Sequence, residues 1–250
     1  MRRKPVLITT ATALALSAAP LAMAHAQQGE KIDIALWNQT DLYDGWTAEQ
    51  LYDTQVIGIT GEDIGEIENL VINADGRVTD IIVEAGGIFD IGDTHFAVNW
   101  DEVEFAPDME WVQVPVEEDN VANFSLFGDD EVVTGPRAWR ASELINDYVA
   151  LEDTMRYGIV QDIVISQDGK VEAVVVYPDV AYGVGRPYAY PYYGYAYDRG
   201  FDPGAETYNL PYTMSEIQEL GPFDYSQFRA PTAGGMPGGE TTTVTEEQQG

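Results

Sequence analysis

Short apolar runs separated by turn residues fill the middle of the chain, and one such block occurs twice. Residues 61–87 read GEDIGEIENLVINADGRVTDIIVEAGG, in which two strand-like runs, 64–72 and 78–84, flank Asn73-Ala74-Asp75-Gly76. Asp-Gly between apolar runs signals a β-hairpin. At an offset of 93 residues the pattern returns without a gap as GIVQDIVISQDGKVEAVVV over 158–176. The offset sets Gly65 against Gly158, Val71 against Val164, Asp75-Gly76 against Asp168-Gly169 and Val83 against Val176. It also sets Trp46-Thr47-Ala48-Glu49-Gln50-Leu51 against Trp139-Arg140-Ala141-Ser142-Glu143-Leu144. A register shared over that distance means one module carried twice.

The elements follow from the same pattern. Thr47 with Gln50 three residues on predicts a short capped helical turn over 46–51. Strands are expected over 56–59, 64–72, 78–84, 95–100 and 110–116, too short and too evenly spaced for a layered α/β fold. The fold class is therefore mainly all-β: two small barrels in tandem with short helical turns. Gly65, Asp75, Gly76, Gly158, Asp168 and Gly169 are read as structural turn positions. Ile81-Ile82-Val83 and Val174-Val175-Val176 are consecutive apolar residues, which places protein on both faces of each third strand. One face fills a barrel; the other packs on the second copy of the module or on an external partner.

The segments are a leader over 1–26, a lead-in over 27–45 with one candidate strand at 32–37, a first barrel over 46–116, an acidic linker over 117–138, a second barrel over 139–220 and a disordered tail over 221–250. Within the second barrel, 182–204 (YGVGRPYAYPYYGYAYDRGFDPG) is low in complexity and is read as an insertion between the third and fourth strands, with the barrel resuming near Tyr208. The competing reading makes it a linker.

Arg2, Arg3 and Lys4 precede an apolar stretch over 6–24 and the pattern Ala24-His25-Ala26, the features of a secretory signal peptide cut after Ala26. Export, with a periplasmic location, is expected. No later stretch approaches the roughly 18 to 20 apolar residues of a membrane helix. The formal charge is −31, from 12 basic and 43 acidic residues, and losing three basic residues with the leader takes it to about −34. Such a polyanion repels nucleic acid and anionic lipid, so neutral or cationic partners are expected. High solubility is the plainer account of the same charge. There is no cysteine, which excludes disulfides and thiol chemistry.

Candidate chemistry is sparse. After cleavage His95 is the one histidine, so a histidine-based metal site, a Ser-His-Asp triad or a Cys-His pair has no components within one chain. His95 itself is expected at a strand edge or on the surface. Glu62-Asp63 with Glu66 and Glu68, Asp90 with Asp93, and Asp129-Asp130-Glu131 offer oxygen ligands without the spacing of a dedicated calcium loop. No catalytic residue, metal site or cofactor is assigned. Tyr188, Tyr190, Tyr192, Tyr193, Tyr195 and Tyr197 form the candidate binding site, because tyrosine combines contact area and a hydroxyl with little entropy to lose. A flexible loop with no fixed partner is the competing reading.

Ile64-Gly65-Glu66-Ile67, Leu70-Val71-Ile72, Asp75-Gly76, the strand over 78–83 and Ala97-Val98-Asn99-Trp100 resemble the PRC-barrel family, which more often has Pro where Asn99 stands. The second copy keeps the hairpin but reads Tyr157-Gly158-Ile159-Val160 at the first motif. The resemblance implies a small six-stranded barrel that serves in docking or assembly, and no catalytic residues. The expected function is a non-enzymatic periplasmic interaction module with a protein partner in the envelope or with itself. The alternative is an acidic envelope-stress protein that binds Ca²⁺ weakly.

Overall fold

The computed structural model describes residues 31–85, 94–106, 109–117, 137–182, 185–195 and 200–228. The chain is mostly β, in two sheets that curl as half-barrels. In chain order the elements are β1 (Trp46–Thr47), α1 (Ala48–Leu51), β2 (Gln55–Ile57), β3 (Asp63–Asn73), β4 (Val78–Ala85), β5 (Thr94–Asn99), β6 (Glu104–Phe105), β7 (Trp111–Gln113), β8 (Ala138–Arg140), β9 (Tyr148–Leu151), β10 (Thr154–Ile165), β11 (Val171–Pro178), β12 (Tyr188–Pro191), β13 (Thr207–Asn209) and α2 (Met214–Ile217). The first sheet runs β5-β4-β3-β2-β7-β6 and the second β12-β11-β10-β9-β13. The pairing scheme repeats between the sheets, at an offset of 93 residues in the hairpin and of 96 in the last strand. Val56 pairs with Val112 as Val149 pairs with Tyr208, in both cases parallel.

Each sheet also takes a short strand from the other half of the chain. β1 pairs antiparallel with β10, Trp46 opposite Ile165, and β8 pairs antiparallel with β3, Trp139 opposite Ile72. The exchange is reciprocal residue for residue. The hairpin tips meet at its centre: Arg77 bridges Lys170, the Val78 amide donates to the Gly169 carbonyl at 2.7 Å, and the Val171 amide to the Gly76 carbonyl at 2.9 Å. Gly76 and Gly169 close their turns at φ of 75° and 79°, a region costly for any residue with a Cβ. A Cβ on Gly76 would lie 2.7 Å from the Tyr192 ring, and one on Gly169 2.8 Å from the Trp100 indole nitrogen. Gly65 and Gly158 are not turns. They lie within β3 and β10, where a Cβ would sit 1.9 Å from the Glu84 carbonyl oxygen or 2.3 Å from that of Tyr177, so they permit close approach of strands where the barrel bends.

One hydrophobic core spans both barrels. It holds Ile64, Ile67, Leu70, Ile81, Val83 and Phe96 from the first, with Val160, Ile163, Val174, Val176 and Tyr190 from the second. Thr47 caps α1 through the reciprocal box with Gln50, as its spacing predicts. Residues 32–37 are not a strand: the Asp33 carboxylate accepts the Ala35 amide and the Leu36 amide returns to the Asp33 carbonyl, closing a turn ahead of a 3-10 helix over Gln39–Asp44.

Two further expectations are corrected by pairing and packing. Residues 188–191 are no insertion; as β12 they pair with β11, Val174 opposite Tyr190, as Ile81 stands opposite Val98, and so form the fourth strand of the second barrel. Pro191 takes the register position of Asn99, on an edge strand where a missing amide hydrogen is tolerated. The outer face of the second barrel is covered by the chain's own flanking segments rather than by the first barrel. Val164, Ala173, Val175 and Ala189 pack under Leu42 of the lead-in and Phe223 and Phe228 of residues 222–228, so the assigned disordered tail begins with an ordered segment.

Gly76→Ala or Gly169→Ala should each cost about 1–3 kcal/mol, from the left-handed turn and the displaced aromatic ring. A lower denaturant midpoint for the whole chain is the expected result, and an unchanged midpoint would contradict the tip-to-tip packing.

Candidate interaction site

The seam between the barrels is where buried polar chemistry gathers. β3 and β10 each carry one extra residue against their hairpin partner, Glu68 and Gln161, and the residue after each bulge is buried and polar, Asn69 and Asp162. A bulge re-aims the side chains beside it. Asn69 Oδ1 accepts the amides of Leu70 at 3.0 Å and Ser142 at 3.3 Å, while its Nδ2 donates to Ser142 Oγ at 2.8 Å. Asp162 Oδ1 accepts the equivalent amides, Ile163 at 2.8 Å and Glu49 at 3.2 Å. Each barrel thus caps the first helical turn of the other.

The two caps differ in charge. Asp162 is fully buried, its Oδ2 has no hydrogen bond, and the Tyr225 hydroxyl approaches the carboxylate without a formed bond of its own. Burial pushes its pKa up to about 6, opposed by the bonds from Ile163, Glu49 and Thr47 and reinforced by the Glu49 charge. The Tyr52 hydroxyl is also buried, and its pKa is raised by burial and by the charges of Asp162 and Glu68. His95 lies on an edge strand as expected but not on the surface: it is 1% exposed, with Nε2 3.5 Å from Glu68 Oε2.

The tyrosines are mostly core. Tyr190 and Tyr193 are buried, Tyr188 and Tyr192 pack against the main core, and Tyr195, partly exposed, lies on Trp139 with ring centroids 5.1 Å apart. Tyr197 is outside the described residues. The Tyr157 and Tyr190 hydroxyls meet at 2.8 Å, as do those of Tyr193 and Tyr212, and Tyr212 donates to the Ile32 carbonyl at 3.0 Å. Tyr157, Tyr190, Tyr208 and Tyr212 stand where the first barrel has Ile64, Val98, Val112 and Val116. The free recognition loop is therefore corrected: burial leaves most of these rings no surface to offer. The sign of this in sequence was the alternation Tyr188-Ala189-Tyr190-Pro191, masked by tyrosine's double character.

Among the described residues no group of three or more His, Asp or Glu side chains is gathered to hold a metal ion. Glu62, one of the candidate oxygen ligands, instead accepts the Thr60 amide at 3.1 Å. Asp90, Asp93 and Asp129 to Glu131 lie outside the described residues.

The fold and the seam define a pair of small β-barrels built for mutual packing. Residues 47–121 match the family model of the PRC-barrel domain. No curated protein matches the chain.

Deleting residues 188–193 should abolish cooperative unfolding of the second barrel, measured by circular dichroism on heating; a native-like transition would contradict their place in the sheet. For Asp162 the sign follows from its raised pKa: the folded state binds the proton more tightly than the unfolded one, so stability is full below about pH 4 and is lost as pH rises through 6. The loss is on the order of 2–3 kcal/mol. Asp147, raised to about 6 by burial and by the Glu206 charge, titrates in the same window. Asp162→Asn reproduces the Asn69 cap and should raise Tm at pH 8 while leaving it near unchanged at pH 4. An equal or lower Tm at pH 8 would contradict this account.

Proposed function

We propose that the chain is a non-catalytic interaction or assembly module of the bacterial cell envelope, exported with a leader cleaved after Ala26. The observation that carries the reading is the reciprocal seam, which holds two barrels in one fixed orientation through the buried Asn69 and Asp162. Asn69 and Asp162 cap helical turns, the tyrosine hydroxyls bond to each other and to backbone, and His95 lies buried beside Glu68. These groups hold the fold together rather than converge on a reacting atom. The formal charge of −31 favours a neutral or cationic protein partner, or self-association in which apolar contact outweighs repulsion.

Fractionation with intact-mass analysis should recover a tagged chain from the periplasm at the mass of residues 27–250. Crosslinking in intact cells should then give one discrete adduct in near-stoichiometric yield, with an envelope protein or with a second copy. Full-length mass in the cytoplasm would overturn the export, and a diffuse set of adducts would overturn the assembly role.

A further inference from the structure

The outer face of the second barrel forms a hydrophobic cluster separate from the core that joins the barrels. Its floor is Val164 of β10, Ala173 and Val175 of β11 and Ala189 of β12, all small or β-branched, and its cover is Leu42 and Tyr43 of the lead-in with Phe223, Tyr225 and Phe228. Phe223 stacks on Tyr43 with centroids 5.5 Å apart, and Phe228 meets Tyr43 edge-on at 5.2 Å and Phe223 at 5.6 Å. Tyr225 packs edge-on against Phe223 at 5.0 Å and brings its hydroxyl to the buried Asp162 at the end of the floor.

Little backbone bonding ties this cover down. The Phe223 amide donates to the Pro187 carbonyl at 2.8 Å and the Asp224 amide to the Tyr43 hydroxyl at 3.2 Å. The other hydrogen bonds of the segment are internal, the Asp224 side chain capping a 3-10 turn over Tyr225–Gln227. It joins the barrel through Gly221, whose Cβ position is open space, followed by Pro222. A compact aromatic segment on a glycine hinge, seated by side chains on a cluster of its own, is suited to leave and return as a unit. The matching positions of the first barrel are Val71, Asp80, Ile82 and Ala97, where Asp80 puts a carboxylate in place of Ala173. The wholly apolar floor therefore belongs to the second barrel.

Resting on the reading of the chain as an assembly module, we propose that this face is a docking groove for a short segment of pattern Phe-x-Tyr-x-x-Phe, filled in cis by residues 223–228 and in trans by the same segment of a second copy. The two phenylalanines supply the apolar contact and the tyrosine the polar end that sets register. Because the cis segment is tethered, its effective concentration is in the millimolar range and a free peptide competes poorly with it. Weakening the cis segment opens the groove to trans occupants.

The test uses the full mature chain with Phe223→Ala and Phe228→Ala together, and a fluorescent peptide of residues 221–229. By fluorescence anisotropy the double variant should bind the peptide at least tenfold more tightly than the parent chain, and a peptide with both phenylalanines replaced by alanine should not bind. Mixing the double variant with a chain carrying Ala173→Asp, in which a carboxylate spoils the floor as Asp80 does in the first barrel and so frees the intact segment, should give a 1:1 complex in sedimentation velocity, as that segment enters the vacant groove. Equal binding by variant and parent, or binding by neither, overturns the groove. Peptide binding without the 1:1 complex overturns the second copy as occupant and leaves another protein with the same pattern. If the double variant loses its cooperative melt, Phe228→Ala alone answers the same question. Each of these results is independent of where the chain resides and of what crosslinks to it in cells.

Discussion

Two backbone hydrogen bonds at the tips of the central hairpins fix the rest of the molecule. They run from the Val78 amide to the Gly169 carbonyl and from the Val171 amide to the Gly76 carbonyl, and each requires the other tip at contact distance. Contact that close needs glycine at both tips, since Tyr192 and Trp100 fill the space a side chain would take. With the tips joined, β3 and β10 lie close enough for each to accept the leading strand of the other half. The helical turn after each leading strand then falls against the bulge of the opposite barrel, where Asn69 and Asp162 receive it. Hairpin contact, strand exchange and capping thus form one chain of consequences, and the single core across both barrels is its result.

The parts of the fold that depend on local pattern were legible in the sequence. Apolar runs flanking Asp75-Gly76 and Asp168-Gly169 define the hairpins, and Thr47 with Gln50 defines α1. The exchange was not legible. A repeat offset shows that Trp46 and Trp139 are equivalent, but two or three residues carry no signal of which copy they pair with. The fourth strand of the second barrel was missed because Tyr-Pro-Gly composition reads as a loop, whereas tyrosine also fills a core when its hydroxyl finds a partner, as Tyr190 does on Tyr157. A signal for the seam was present in Asn69 and Asp162, single polar residues at matched places in otherwise apolar runs.

Duplication has left two barrels with the same topology and different chemistry. The first fills its interior with aliphatic side chains where the second uses tyrosines joined hydroxyl to hydroxyl. One cap is neutral and the other a carboxylate that burial holds near pH 6. One outer face carries Asp80, and the other offers an apolar floor to an aromatic segment of the same chain. The shared topology makes one fixed platform, and the diverged surfaces give it two distinct ends.

The central claim, that the exchange makes the two barrels one cooperative unit, is tested most directly by native-state hydrogen exchange. The Val78 and Val171 amides should open only with global unfolding, at the same free energy as the core amides of Ile81 and Val174. Exchange of the tip amides orders of magnitude faster than the core, with the two barrels protected to different extents, would contradict it.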